Sequence, residues 1–223
     1  MLITKKVFLF TLLLIITQSL FAQVNFGVKG GLNESYIDAG TYPSTTKGHL
    51  RPGFHIGAFA EFEFNKWSFE PGLFFSVKGY KVTSDAVQPT PGGPVKVSIS
   101  GTQTYQYLEL PLNMLYNIKT KPGKIFIGGG PYMGYLLSVT GKRNTTVNGV
   151  NTYTETNYAI GGNGNFKRTD FGVNALTGIT FKNGLLFNVS YSYGFTNIVI
   201  NNINGNPNIT KNRVIGFSAG YTF

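Results

Sequence analysis

The sequence predicts an all-β protein: an eight-stranded antiparallel up-and-down transmembrane β-barrel that follows a cleaved signal peptide. Three observations carry this. Residues 213–223 alternate to the last residue, with Ile215, Phe217, Ala219, Tyr221 and Phe223 on one face and Gly216, Ser218, Gly220 and Thr222 on the other. That period of two marks a strand held between an apolar and a polar environment. Lys5 and Lys6 precede an apolar run over residues 7–16 that closes with Ser19, Leu20, Phe21 and Ala22, the layout of a secretory signal cut after Ala22. Leu20, two places before Ala22, departs from the small residue usual there. No segment reaches about eighteen consecutive apolar residues, which excludes a helical membrane protein.

Residues 1–22 are therefore expected to be a signal peptide and residues 23–223 one barrel domain, since nothing between them has a linker's composition. Alternation then sets out each strand. The first places Val24, Phe26 and Val28 outward, against Asn25, Gly27 and Lys29. The second carries Phe54, Ile56, Ala58, Ala60, Phe62 and Phe64 outward and His55, Gly57, Phe59, Glu61 and Glu63 inward, before a tight reversal at Asn65-Lys66. The third runs from Trp67 with Phe69, Pro71, Leu73, Phe75 and Val77 outward and Glu70, Gly72, Phe74, Ser76 and Lys78 inward. Pro71 within it predicts a bulge or a locally unpaired position.

The fourth strand turns Leu108, Leu110, Leu112, Met114, Tyr116 and Ile118 outward and Tyr107, Glu109, Pro111, Asn113 and Asn117 inward. After a turn at residues 119–123, the fifth has Ile125, Ile127, Met133, Tyr135, Leu137 and Val139 outward and Phe126, Gly128, Gly130, Tyr132 and Gly134 inward. Phe171, Val173, Ala175, Ile179 and Phe181 mark the sixth, and Lys182-Asn183-Gly184 turns the chain into a seventh with Leu185, Phe187, Val189, Tyr191 and Tyr193 outward. The terminal strand makes eight.

Short turns near residues 65, 121 and 183 interleave with long segments at about 36–52, 81–103, 141–165 and 196–212. Short periplasmic turns and long external loops are the asymmetry of outer-membrane barrels, and they put both termini on the short-turn side. The long segments are rich in Gly, Asn, Thr and Pro and read as loops without a core. A barrel of eight strands has an interior that side chains just fill, so a wide diffusion pore is excluded.

Composition agrees with this. The 29 glycines relieve crowding in a narrow lumen, and 15% aromatic residues supply girdles at the two interfaces. Without cysteine there is no disulfide, no thiolate metal site and no cysteine nucleophile. Of the net charge of +10, two lie on Lys5 and Lys6; the rest lies in turns and loops, with Lys119, Lys121 and Lys124 in one turn and Lys142, Arg143, Lys167 and Arg168 in or beside one loop. No recognition motif accompanies it, so nucleic acid is not an expected partner.

Three stretches resemble one family: residues 69–79 (Phe-Glu-Pro-Gly-Leu-Phe-Phe-Ser-Val-Lys-Gly), residues 107–112 (Tyr-Leu-Glu-Leu-Pro-Leu) and residues 129–137 (Gly-Gly-Pro-Tyr-Met-Gly-Tyr-Leu-Leu). They are similar to the PorT-like outer-membrane β-barrel domain of Gram-negative bacteria, a porin-like family. The likeness spans nearly all of residues 23–223, with residues 107–112 its most specific part. It implies an eight-stranded barrel in the cell outer membrane and supplies no catalytic residues. The founding branch is linked to protein secretion and gliding.

The inward charges Glu61, Glu63, Glu70, Glu109 and Asp170, with Lys29, Lys78 and Arg168 as counter-charges, are expected to form a structural network that fills the lumen and fixes register. The functional alternative is a narrow polar or proton path. Glu61 and Glu63 share one wall with no evident cleft, which argues against a glycosidase. A barrel esterase needs a serine oriented by a histidine, and only His49 and His55 exist. The chain reads as a non-enzyme without cofactor or metal. Tyr221 and Phe223 resemble the C-terminal signal taken up by the outer-membrane insertion machinery. Expected partners are outer-membrane lipids and lipopolysaccharide, that machinery, and other envelope proteins. The favoured role is structural or interactive, carried by the loops. A transport or secretion-accessory role is the alternative, ahead of a narrow channel or a lipid-processing enzyme.

Overall fold

The computed structural model describes residues 24–38, 46–162, 164–200 and 210–223. The expected signal peptide and the asparagine-rich stretch 201–208 lie outside the described residues. Ten strands follow in order: β1 (Val24–Asp38), β2 (Thr46–His49), β3 (Arg51–Phe64), β4 (Trp67–Thr90), β5 (Gly93–Lys119), β6 (Gly123–Val147), β7 (Val150–Asn157), β8 (Thr169–Phe181), β9 (Leu185–Gly194) and β10 (Lys211–Thr222). Eight of them close a ring in the order β1-β3-β4-β5-β6-β8-β9-β10, every neighbour antiparallel. Pairing of β10 with β1, from Gly27↔Thr222 to Asp38↔Lys211, seals the ring and leaves it no open edge. Even its shortest member, β9 with 10 residues, is long enough to cross a bilayer as a tilted strand.

The outer wall is the apolar set the alternation assigns. Phe26, Leu32, Ile56, Ile127 and Phe217 are all exposed, a contiguous apolar band that water would not tolerate and lipid does. Aromatic contacts rim the short-turn end, where Trp67 meets Tyr116 at 5.2 Å and Tyr221 meets Phe223 at 5.4 Å between ring centroids. Asn65 turns the chain at φ 62°, a left-handed conformation asparagine tolerates, so Phe64 pairs with Trp67 across a two-residue loop.

Inside, two apolar clusters fill the tube. Near the short-turn end, Phe59, Phe74, Leu115, Phe126, Leu176 and Leu186 interlock. At the long-loop end, Tyr105, Tyr107, Leu136 and Val139 pack with Phe166 and Ile198, which come from segments folded back over the mouth. Backbone bonds tie those segments together, Lys167 N to Ile198 O at 2.8 Å and Ile200 N to Asn165 O at 2.9 Å.

Several expectations need correction. Val139 faces the lumen at 2% exposure, because the ladder shifts register between Gln106 and Tyr107. Tyr107 pairs with Leu136 but Gln106 with Ser138, so Leu137 is an extra residue and the alternation of β6 inverts beyond it. Val77, opposite Gln106 at this bulge, keeps the outward parity yet is buried at 7%. Of the two outcomes expected at Pro71, the locally unpaired position holds and the bulge does not: the β3–β4 register continues unchanged from Phe59↔Gly72 to Phe62↔Phe69, with pairing missing between them.

The largest correction concerns the long segments. Residues 81–103 are not an irregular loop but a paired ribbon, with β4 and β5 laddered up to Thr90↔Gly93. Val82, Val87, Val95, Val97 and Ile99 give this ribbon the β-branched content that strands favour. Residues 141–157 likewise form the β6–β7 hairpin, turned at Asn148 (φ 48°) and Gly149 (φ 81°). With β2 paired on β4, a five-stranded sheet β2-β4-β5-β6-β7 continues beyond the ring at the long-loop end.

Candidate functional site: the polar lumen

Alternation drives every second side chain of β1, β3, β4, β5, β6, β8 and β10 into the tube, and the charged ones meet there as pairs. Lys29 Nζ on β1 lies 2.8 Å from Glu70 Oε1 on β4, and 4.8 and 5.4 Å above the rings of Phe59 and Phe74. Lys78, 1% exposed, is ion-paired with Glu109 and sits 5.4 and 5.0 Å over the rings of Tyr107 and Tyr132. Cation–π contact of this kind offsets part of the hydration these ammonium groups give up.

At the short-turn end, Lys124 bridges two carboxylates. Its Nζ donates to Glu61 at 2.7 and 2.9 Å and is ion-paired with Glu63. Ser68 Oγ donates to Glu61 at 2.8 Å and Asn117 Nδ2 to Ser68 Oγ at 3.0 Å, extending this layer around the wall. Asp170, 0% exposed, makes no direct ion pair among the described residues; Asn212 Nδ2 at 2.8 Å and Tyr132 OH at 3.2 Å donate to its Oδ2.

The structure thus brings Lys29, Glu70, Lys78, Glu109, Glu61, Glu63 and Asp170 together in one lumen. Arg168, read as a counter-charge, is instead exposed and bonds Tyr135 OH and Ile160 O, each at 3.3 Å. Lys124 takes the role that sequence reasoning missed. It was grouped with a basic turn, although its parity with inward Phe126 places it inside.

A cavity of about 80 Å³ lies above the short-turn cluster, with Phe74 and Leu176 in its wall and Lys29, Asn113, Asn188 and Ser218 among its polar lining. The Oδ1 atoms of Asn113 and Asn188 have no protein donor among the described residues. The two histidines have separate fates. His49 Nε2 is exposed and lies 3.0 Å from Thr83 Oγ1. His55 faces the lumen, not the membrane, between Asn33 Oδ1 and Ser218 Oγ at 2.8 Å each.

No curated protein matches the chain. Among solved structures it is similar to the attachment invasion locus protein Ail of Yersinia pestis, at 15% identity over 90% of this chain and 99% of that one, with a TM-score of 0.39. Neisserial surface protein A is 16% identical over 88% and 95%, with a TM-score of 0.33. The outer membrane protein OprG from Pseudomonas aeruginosa is 18% identical over 89% and 95%, with a TM-score of 0.30. A model of the outer membrane protein beta-barrel domain matches residues 18–199, most of the chain, and the protein belongs to that family of outer-membrane β-barrels.

Proposed function

We propose that this outer-membrane protein is a sealed anchor, and that the five-stranded sheet beyond the ring, held on the outside of the cell, is its working surface for another envelope component. The observation that carries this is the division of labour along the tube: the lumen is packed apart from the cavity of about 80 Å³, whereas the sheet beyond it is open. All eight residues of β7 are exposed, and its second edge, unpaired among the described residues, offers backbone groups to an extended segment of a partner. In this reading residues 1–22 are removed on export, Tyr221 and Phe223 engage the insertion machinery, and the surface lysines and arginines meet lipopolysaccharide phosphates. The lumen charges hold register and exclude a through-path.

The resemblance to PorT-like barrels in residues 69–79, 107–112 and 129–137 supports a second reading, a transport or secretion accessory. One experiment addresses both. The parent protein and a variant with residues 84–99 and 144–153 replaced by short turns are cross-linked and purified from native outer membranes. A partner captured by the parent and lost from the variant is the expected result. Identical partners for both would overturn the sheet as the working surface, and a stoichiometric secretion assembly would favour the second reading.

A further inference from the structure

Three lumen side chains take no part in the ion pairs yet are joined to one another. Asn33 Nδ2 is surrounded by Phe54 O, Ser76 Oγ and Val77 O, each at 3.2 Å, which fixes which end of the amide is nitrogen. Its Oδ1 therefore faces His55 Nδ1 at 2.8 Å as an acceptor, so the proton of the neutral imidazole resides on Nδ1. Nε2 is left with its lone pair toward Ser218 Oγ, also at 2.8 Å. A serine hydroxyl on an imidazole whose tautomer is set by a third group is the arrangement that activates a serine. All three residues line the same cavity.

We propose that Ser218 is a nucleophile, with His55 as its general base and Asn33 as the positioning residue, and that the lumen cavity accepts a small acyl ester. Ser218 Oγ bonds to the carbonyl carbon while its proton passes to His55 Nε2. Collapse breaks the bond to the leaving alcohol, which takes that proton. A water molecule deprotonated by His55 then cleaves the acyl-serine and restores Ser218. Asn188, the cross-strand partner of Ser218, and Lys29 line the same space and supply an amide and a cation for a developing oxyanion. The cavity of about 80 Å³ limits the acyl portion to a few carbons.

The test treats the folded full-length barrel in detergent with p-nitrophenyl acetate and reads acetylation of each lumen serine by peptide mass spectrometry. Ser218 should be labelled at least about 100-fold faster than Ser190 or Ser192, the contribution expected of a positioned base. That lead should vanish in His55→Ala and in Asn33→Ala, and survive in Asn33→Asp, with folding checked by heat-dependent gel migration. Comparable labelling of the three serines, no labelling of any, or a Ser218 lead indifferent to His55→Ala would each overturn the proposal. If His55→Ala does not fold, the Ser218 to Ser190 ratio in the parent protein decides.

Discussion

Glu70 and Lys29 illustrate what a single lumen side chain contributes. Removing one partner of a buried pair leaves a charge with neither water nor counter-ion, a cost of about 3–5 kcal/mol. Glu70→Ala is expected to lose that much in urea unfolding from lipid vesicles, and Lys29→Met in the same chain to recover most of it. A loss under about 1 kcal/mol would mean the pair behaves as a hydrated surface pair. Gly172 shows the opposite constraint, since a Cβ there would meet Tyr132 Cε1 at 2.5 Å and Tyr193 O at 2.3 Å. Gly172→Ala should destabilise the barrel by about 1–3 kcal/mol through overpacking, read by the same unfolding curve. Which residues face inward was legible from alternation, and so were most of the charges. Which charges pair was not: partners such as Lys124 and Glu61 lie 63 residues apart, and the barrel's stagger, which sequence alone does not set, decides who meets whom.

Strands behaved differently from their connections. The ring strands were legible because lipid and lumen impose opposite demands on alternate residues, so the pattern is strict. Beyond the ring both faces of the ribbon meet water, the pattern fades, and residues 81–103 read as loop although they are paired. The Asn148-Gly149 turn was the one strong hairpin signal in that region, and it lay unrecognised within a polar stretch. The bulge at Gln106 and Tyr107 left no composition cue, which is why Val139 was assigned to the wrong face. Because the ribbon is built beyond a closed ring, replacing residues 84–99 with a two-residue turn should change barrel stability by no more than about 1 kcal/mol and leave its gel shift intact. Phe166 is the reverse case, a loop residue buried in the mouth cluster. Phe166→Ala should release the segment around it by about 3–5 kcal/mol, making Lys167 and Arg168 cleavable by trypsin while the ring stays whole.

At the scale of the whole molecule, ring closure is what makes the other properties follow. It removes the sheet edges that lipid could not satisfy, and at eight strands it leaves a tube narrow enough for two apolar clusters and a polar layer to fill. Planar-bilayer recordings should therefore show no discrete openings, whereas stepwise conductance would require a path through those clusters. Closure itself rests on the pairing of the first and last strands. Nuclear Overhauser contacts between β1 and β10, measured on the deuterated protein in lipid nanodiscs, test it directly. Cross-peaks following the register Lys29↔Gly220, Gly31↔Ser218 and Asn33↔Gly216 are the expected result. Their absence, or a backbone amide ladder pairing β10 with any strand other than β1 and β9, would contradict the closed eight-stranded ring.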